Sequence, residues 1–165
     1  MKTPPTPKDI ELVAEHVLKM LQEEIINQGH KDTSKLLKSL QYDIIYKSNA
    51  IEIIFSYIFY GRFVNDGVPA SKVNYPIQIM IDYLKRKGVI KSKKDEGIAY
   101  AVRAKHKKEG IPTKASLKFS KNGRRTGFQD HVISQIPSKV QPLIDSQIIE
   151  PLQMWFFDVL KQIKI

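Results

Sequence analysis

Cysteine is missing from this chain, and tryptophan occurs once among its 165 residues. The first absence excludes disulfides and thiolate metal sites and fits synthesis in a reducing compartment. No apolar run approaches the roughly 20 residues of a membrane span, and the opening MKTPPTPKD lacks the apolar core of a signal peptide. The expectation is a protein that works in solution or as part of an assembly. Chemical signatures are also missing. His16, His30, His106 and His131 show no metal-ligand spacing, and no HExxH is present. No glycine-rich phosphate loop precedes Lys-Ser or Lys-Thr, and no G-x-S-x-G elbow occurs. The adjacent carboxylates Glu23 and Glu24, and Asp95 and Glu96, read as solvated helix surface rather than as an acid and base pair. No catalytic residue, metal ligand or cofactor-binding residue is therefore assigned, and the chain is not read as an enzyme.

Negative charge is scarce, with 17 Asp and Glu against 27 Lys and Arg, and the imbalance is local. Residues 85–125 carry 15 basic side chains and only Asp95, Glu96 and Glu109, a net of +12, while the other 124 residues hold 12 basic and 14 acidic groups, a net of −2. Such a region suits phosphate or an acidic protein partner.

Hydrophobic pattern supplies the architecture. The stretch QYDIIYKSNAIEIIFSYIFYGRFVNDG (41–67) anchors it. Tyr42, Ile44 and Tyr46 alternate with Asp43, Ile45 and Lys47; Ile51, Ile53, Phe55 and Tyr57 alternate with Glu52, Ile54, Ser56 and Ile58. Period two with β-branched and aromatic residues predicts two strands, near 41–47 and 51–58, joined by a turn at Ser48 and Asn49. Two strands alone are marginal, so helices or further strands must cover the apolar face. Upstream, Ile10, Val13, Ala14, Val17, Leu21 and Ile25 form one helical stripe over 9–28, with Thr6 and Pro7 suited to its start and Gly29 to its stop. Residues 1–7 read as a flexible proline-rich arm, and Thr33 opens a short turn or helix through Leu40.

Downstream, strand alternation fails between Gly61 and Gly67, and both glycines are expected to adopt backbone conformations ill suited to other residues. Ile77, Met80, Ile81 and Leu84 predict a helix over 76–87 ended by Gly88. Ile98, Ala101 and Val102 give a weaker stripe over 96–109. From Pro112 to Gly127 the alternation of Ala115, Leu117 and Phe119, followed by Asn122-Gly123, fits a basic β-arm or a basic loop. Helical spacing resumes from Val132 to Ile163 and is interrupted by prolines. Pro137 and Pro142 fit helix starts, and Pro151 predicts a kink or a new start. Trp155, Phe156 and Phe157 cannot all face one core; core packing is assigned to Trp155, and part of the row is expected to serve a subunit contact. The fold class is thus α+β: an antiparallel sheet packed by an N-terminal helix and further helices, in a single domain over 8–165 with a basic segment at 112–128 and a helical end at 131–165.

The corner at Tyr60, Gly61, Phe63, Val64, Asn65, Asp66 and Gly67 resembles the tail-completion or head-tail joining proteins of tailed bacteriophages. In these small neck-ring proteins a helix and a hairpin lead to a tyrosine, an aromatic-valine pair, an acidic or amide residue and a glycine. The helix ending in Lys-Gly (Ile77 to Gly88), the run Ile98-Ala99-Tyr100-Ala101-Val102 and Glu109-Gly110-Ile111-Pro112 follow in the same order. The resemblance spans about residues 8–120 and departs after Pro112, where this chain has its basic segment and a proline-broken end. It implies a structural virion protein in the neck or tail, a homomeric ring of twelve or six copies that binds the portal or other neck and tail proteins around the DNA passage, with no cofactor. Lys114, Lys118, Lys121, Arg124 and Arg125 are then expected to contact a neighbouring protein or DNA. The alternative is a nucleic-acid-binding module that uses the Lys85 to Arg125 surface for phosphate contacts.

Overall fold

The structure is a computed structural model and describes residues 6–30, 34–48 and 50–162. It is α+β, with a two-stranded antiparallel sheet among the described residues and helices before and after it. The chain divides into two compact units. One comprises everything up to Phe59 together with everything from Phe128 onward, and the other is Tyr60–Gly127.

In the first unit, helix α1 (Pro7–Asn27) buries Ile10, Val13, Ala14, Val17, Met20, Leu21 and Ile25. Each large apolar side chain in that stripe contributes about 1.5–3 kcal/mol on leaving water. Its start is capped: the Thr6 N–H and hydroxyl both donate to the Asp9 carboxylate, at 2.6 and 2.8 Å, and the Asp9 N–H donates back to the Thr6 carbonyl at 3.0 Å. Helix therefore begins inside the arm expected over 1–7, and residues 1–5 lie outside the described residues. Helix α2 (Lys35–Ser39) buries Leu36 before the hairpin begins; Thr33, expected to open it, lies outside the described residues.

Strands β1 (Gln41–Tyr46) and β2 (Ile51–Ser56) pair with Tyr42 opposite Phe55 and Ile44 opposite Ile53. The Lys47 N–H donates to the Ala50 carbonyl at 2.8 Å, and a Lys47–Glu52 ion pair reinforces the turn; Asn49 lies outside the described residues. Helix α1 packs on β1, and the shared face of Tyr42, Ile44, Ile53 and Phe55 is half-buried. On the opposite face Ile45 and Ile54 are exposed.

Helix α6 (Phe128–Lys139) closes this unit against α1. Its Phe128 is wholly buried, with the Tyr57 ring edge-on at 5.7 Å. Pro137, expected at a helix start, lies inside α6, two residues before the helix ends. Helix α7 (Gln141–Ile144) carries Pro142 at its second position. A wide π-helical turn, Asp145–Ile149, then leads to α8 (Glu150–Gln162). Pro151 cannot donate its backbone bond, and its ring crowds the carbonyl four residues back at Gln147, in the middle of that turn, so the loosened geometry and the new helix start coincide. Trp155 is not core, being 38% exposed. Ile163 lies outside the described residues.

The second unit is built on helices α4 (Ile77–Arg86) and α5 (Gly97–Glu109). Met80, Ile81, Leu84, Ile90 and Ala99 form its core, flanked by Tyr75, Ile77, Tyr83 and Val102. The inward face of α5 is shifted from the expected one: Ala99 is buried, whereas Ile98 is 41% exposed and Ala101 is exposed. Polar Arg103 and His106 complete that face, so apolar spacing alone could not find it. The corner after the sheet is a short helix α3 (Gly61–Asp66), not an irregular turn.

Residues 112–128 do not form a β-arm. Lys114–Phe119 is a run of tight 3-10 turns. The Thr113 carbonyl accepts from the Ser116 N–H at 3.0 Å and from its hydroxyl at 2.7 Å, while the Glu109 carboxylate accepts from the Lys114 N–H at 3.1 Å. These local bonds satisfy the backbone without a partner strand. Asn122-Gly123 does make a turn, with the Arg124 N–H on Asn122 Oδ1 at 3.1 Å, but no strands flank it.

Candidate functional site

Two features of Tyr60–Gly127 gather the residues singled out by sequence. The first is the corner. Tyr60 and Phe63 are 40% and 49% exposed, Val64 is half-buried, and Asn65 is 8% exposed. Asp66 accepts from the Asn65 side-chain amide at 2.9 Å and pairs with Arg62 at 3.4 Å. Gly61 is buried within α3 in ordinary helical backbone, so of the two glycines only Gly67, with φ +74° and ψ −178°, has the expected unusual conformation.

The role of Gly67 becomes clear from its partner, Gly110, which sequence reading placed only as a helix stop. Val68 and Ile111 exchange backbone hydrogen bonds, N–H to carbonyl, at 2.6 and 2.8 Å. Each glycine precedes one member of that bridge. A Cβ on Gly67 would stand 2.8 Å from the Ile111 carbonyl oxygen, and one on Gly110 would stand 2.7 Å from that of Val68. Gly110, at φ +87° and ψ −172°, shares the extended positive-φ region that only glycine occupies readily. The Gly127 N–H closes the same end of the unit on the Asn65 carbonyl at 2.7 Å. The first and last segments of Tyr60–Gly127 are therefore clasped by backbone alone.

The second feature is charge. Tyr60–Gly127 holds 17 Lys and Arg against 5 Asp and Glu, a net of +12, while the remaining sequence holds 10 against 12, a net of −2. The basic region seen in sequence is thus a property of one compact unit. Its segments are tied together: Lys85 at the end of α4 reaches Glu96 at 3.5 Å, next to Lys93 and Lys94. Glu109 takes both Lys105, at 3.4 Å, and the Lys114 N–H. Arg86 and Lys87 lie 6.0 and 5.7 Å from the Tyr83 ring centre, and Arg125 interacts electrostatically with the same tyrosine. Burial pushes the Arg125 guanidinium pKa down, and the Tyr83 phenol opposes this. Lys114, Lys118, Lys121 and Arg124 are exposed, with Lys118 5.1 Å from the Phe119 ring centre.

Two polar clusters escaped sequence reading. Tyr75 Oη and His106 Nδ1 are hydrogen-bonded at 2.8 Å, with Arg103 5.9 Å from the Tyr75 ring centre. Burial holds the His106 pKa below its ordinary value, partly countered by Glu109. In the other unit Glu24 is 5% exposed, not solvated. It accepts from the Gln28 amide at 2.9 Å and lies 3.6 Å from His131. The spacing Leu21, Glu24, Gln28 continues the buried stripe of α1, and this turns Glu24 inward while Glu23 stays exposed. No group of three metal-ligating side chains occurs among the described residues, nor is any helix among them long and apolar enough to cross a membrane. Compared with protein-family models, curated proteins and solved structures, the chain finds no match in any of the three.

Proposed function

We propose that this chain is a structural virion protein of a tailed bacteriophage: a neck or tail component that forms a homomeric ring, joins the portal or head to the tail and surrounds the DNA passage. One observation carries the assembly part of this reading. Along α8, Leu152, Met154, Trp155, Phe156 and Phe157 are 43, 47, 38, 53 and 59% exposed. Four consecutive residues at 100° per step point to every side of a helix, so no single packing surface of the same chain could cover them. A contiguous row of exposed aromatic and apolar side chains marks a surface that another chain covers, and repeated copies of one chain are the commonest way to build such a contact. The order of helix, hairpin, aromatic corner and second helical pair supports the bacteriophage part, through the resemblance described above.

Mass photometry and native mass spectrometry of the full chain at micromolar concentration, alone and with a portal protein, test the reading. Closed rings or portal-induced rings are expected, and Trp155→Ser with Phe157→Ser should shift the population to monomer without altering far-ultraviolet dichroism. A parent protein that stays monomeric at tens of micromolar with and without portal refutes it.

A further inference from the structure

We infer that the compact unit Tyr60–Gly127 is a duplex DNA-binding surface that reads the phosphate backbone without sequence preference. All five carboxylates of the unit are in use: Asp66 with Arg62, Glu96 with Lys85 and Glu109 with Lys105, while Asp82 accepts from the Gln78 amide and Asp95 from the Ser92 and Lys91 N–H groups. Even if every one neutralised a cation completely, 12 of the 17 positive charges would remain. The rest of the chain is only −2, so neither it nor a second copy could supply the missing counter-charge. Self-association alone accumulates repulsion. Such a surface suits a dense polyanion, and duplex DNA offers about one charge per 1.7 Å of axis.

Composition separates duplex backbone from the alternatives. Lysine outnumbers arginine 12 to 5 in the unit, which favours point-charge contact with phosphate over the bidentate arginine forks that read guanine. Of the unit's four exposed rings, Tyr60 and Phe63 lie at the corner and only Tyr100 and Phe119 lie among the basic segments, a thin platform for a single strand that must stack its bases along the cationic track. Helix end, turn and loop are joined through Lys85–Glu96, Tyr83 and Glu109, which brings the cations of separate segments onto connected surface.

The test uses the full chain and a fluorescent 30-base-pair duplex, titrated by anisotropy across a salt series. Affinity should fall by about 1,000-fold or more between 50 and 200 mM salt, as for proteins that make six or more phosphate contacts. Replacing Lys114, Lys118, Lys121 and Arg124 by Gln should lower the slope of log affinity against log salt by roughly 3 to 4, at about 0.9 per lost contact. A charge-matched control in the other unit, Lys19, Lys35, Lys38 and Lys139 to Gln, should leave the slope unchanged; both variants are checked for parental dichroism and melting. Unlabelled duplexes of unrelated sequence should compete equally, and single strands or polyglutamate of equal total charge at least tenfold less well. Absence of binding at 50 mM salt, equal loss in the control variant, or polyglutamate or single strands competing as well as duplex would each overturn the assignment. Because anisotropy reads monomer and ring alike, the result stands whether or not rings form.

Discussion

Replacing Gly67 with Ala probes the backbone clasp most directly. The residue sits at φ +74° and ψ −178°, a region whose occupation by a residue with a Cβ costs about 1–3 kcal/mol. Relaxing toward ordinary backbone is blocked, because the new Cβ would meet the Ile111 carbonyl oxygen at 2.8 Å, and that oxygen accepts the Val68 N–H. Moving it disturbs two hydrogen bonds, each contributing about 0.5–1.5 kcal/mol. The expected loss is therefore about 2–6 kcal/mol in the stability of Tyr60–Gly127. Gly110→Ala should cost a similar amount, since its Cβ would stand 2.7 Å from the Val68 oxygen and 3.2 Å from the Ala70 nitrogen. The double variant should fall short of the sum, because both substitutions break one bridge. Two other glycines separate the causes. Gly123 shares a φ of +74° but a Cβ there meets nothing within 4 Å, so strain alone should cost about 1–2 kcal/mol. Gly97 opens α5 in ordinary backbone with open space around it, and Ala there should stabilise by up to about 1 kcal/mol. Urea unfolding followed by dichroism, with hydrogen exchange at the Val68 and Ile111 amides, gives the ranking. Equal behaviour of Gly67→Ala and Gly97→Ala would refute the reasoning.

Two further perturbations follow from the packing. Phe128→Ala removes a wholly buried ring that meets Tyr57 edge-on and should cost about 3–5 kcal/mol by denaturant titration; a loss under about 1 kcal/mol would mean that Phe128 is not packed as described. His106 has a folded-state pKa depressed by burial, so the folded chain binds fewer protons than the unfolded one. Its contribution is fully present above the ordinary histidine value and is lost as pH falls through that value toward the depressed one. His106→Gln should flatten that part of the stability profile of Tyr60–Gly127 on the acid side of neutrality, and identical pH slopes in parent and variant would dismiss the buried histidine as its source.

Elements with strong periodicity were legible in sequence: the stripe of α1, the alternation of the hairpin and the i, i+3, i+4, i+7 pattern of α4 all lie within a residue or two of their expected bounds. What was hidden depended on non-local partners. The alternation of Ala115, Leu117 and Phe119 looked strand-like, but a strand needs a neighbour, and bonds from Thr113 and Glu109 made tight turns sufficient. Glu24 carried a surface residue's identity at a core position, and only His131 and Gln28, one of them from a distant helix, show why it is tolerated there. Gly67 was found through the loss of alternation beside it, but its complement Gly110 lies 43 positions away on the other side of a helical pair, beyond any local pattern. The charge was visible from the start; its confinement to one compact unit required the contacts.

The pairing of α1 with α6 also bears on the order of events at the ribosome. The apolar stripe of α1 is complete by Asn27, yet the helix that covers it begins at Phe128, about 100 residues later. At 5–20 residues per second that is a wait on the order of 5–20 s, long against the microseconds in which helices form and chains collapse. Tyr60–Gly127, whose ends are clasped to each other, can close during that interval, before Phe128 arrives. The nascent first unit meanwhile presents Ile10, Val13, Val17 and Leu21 without their final cover, which makes it a natural client for a ribosome-associated chaperone and makes truncation after Gly127 a route to aggregation.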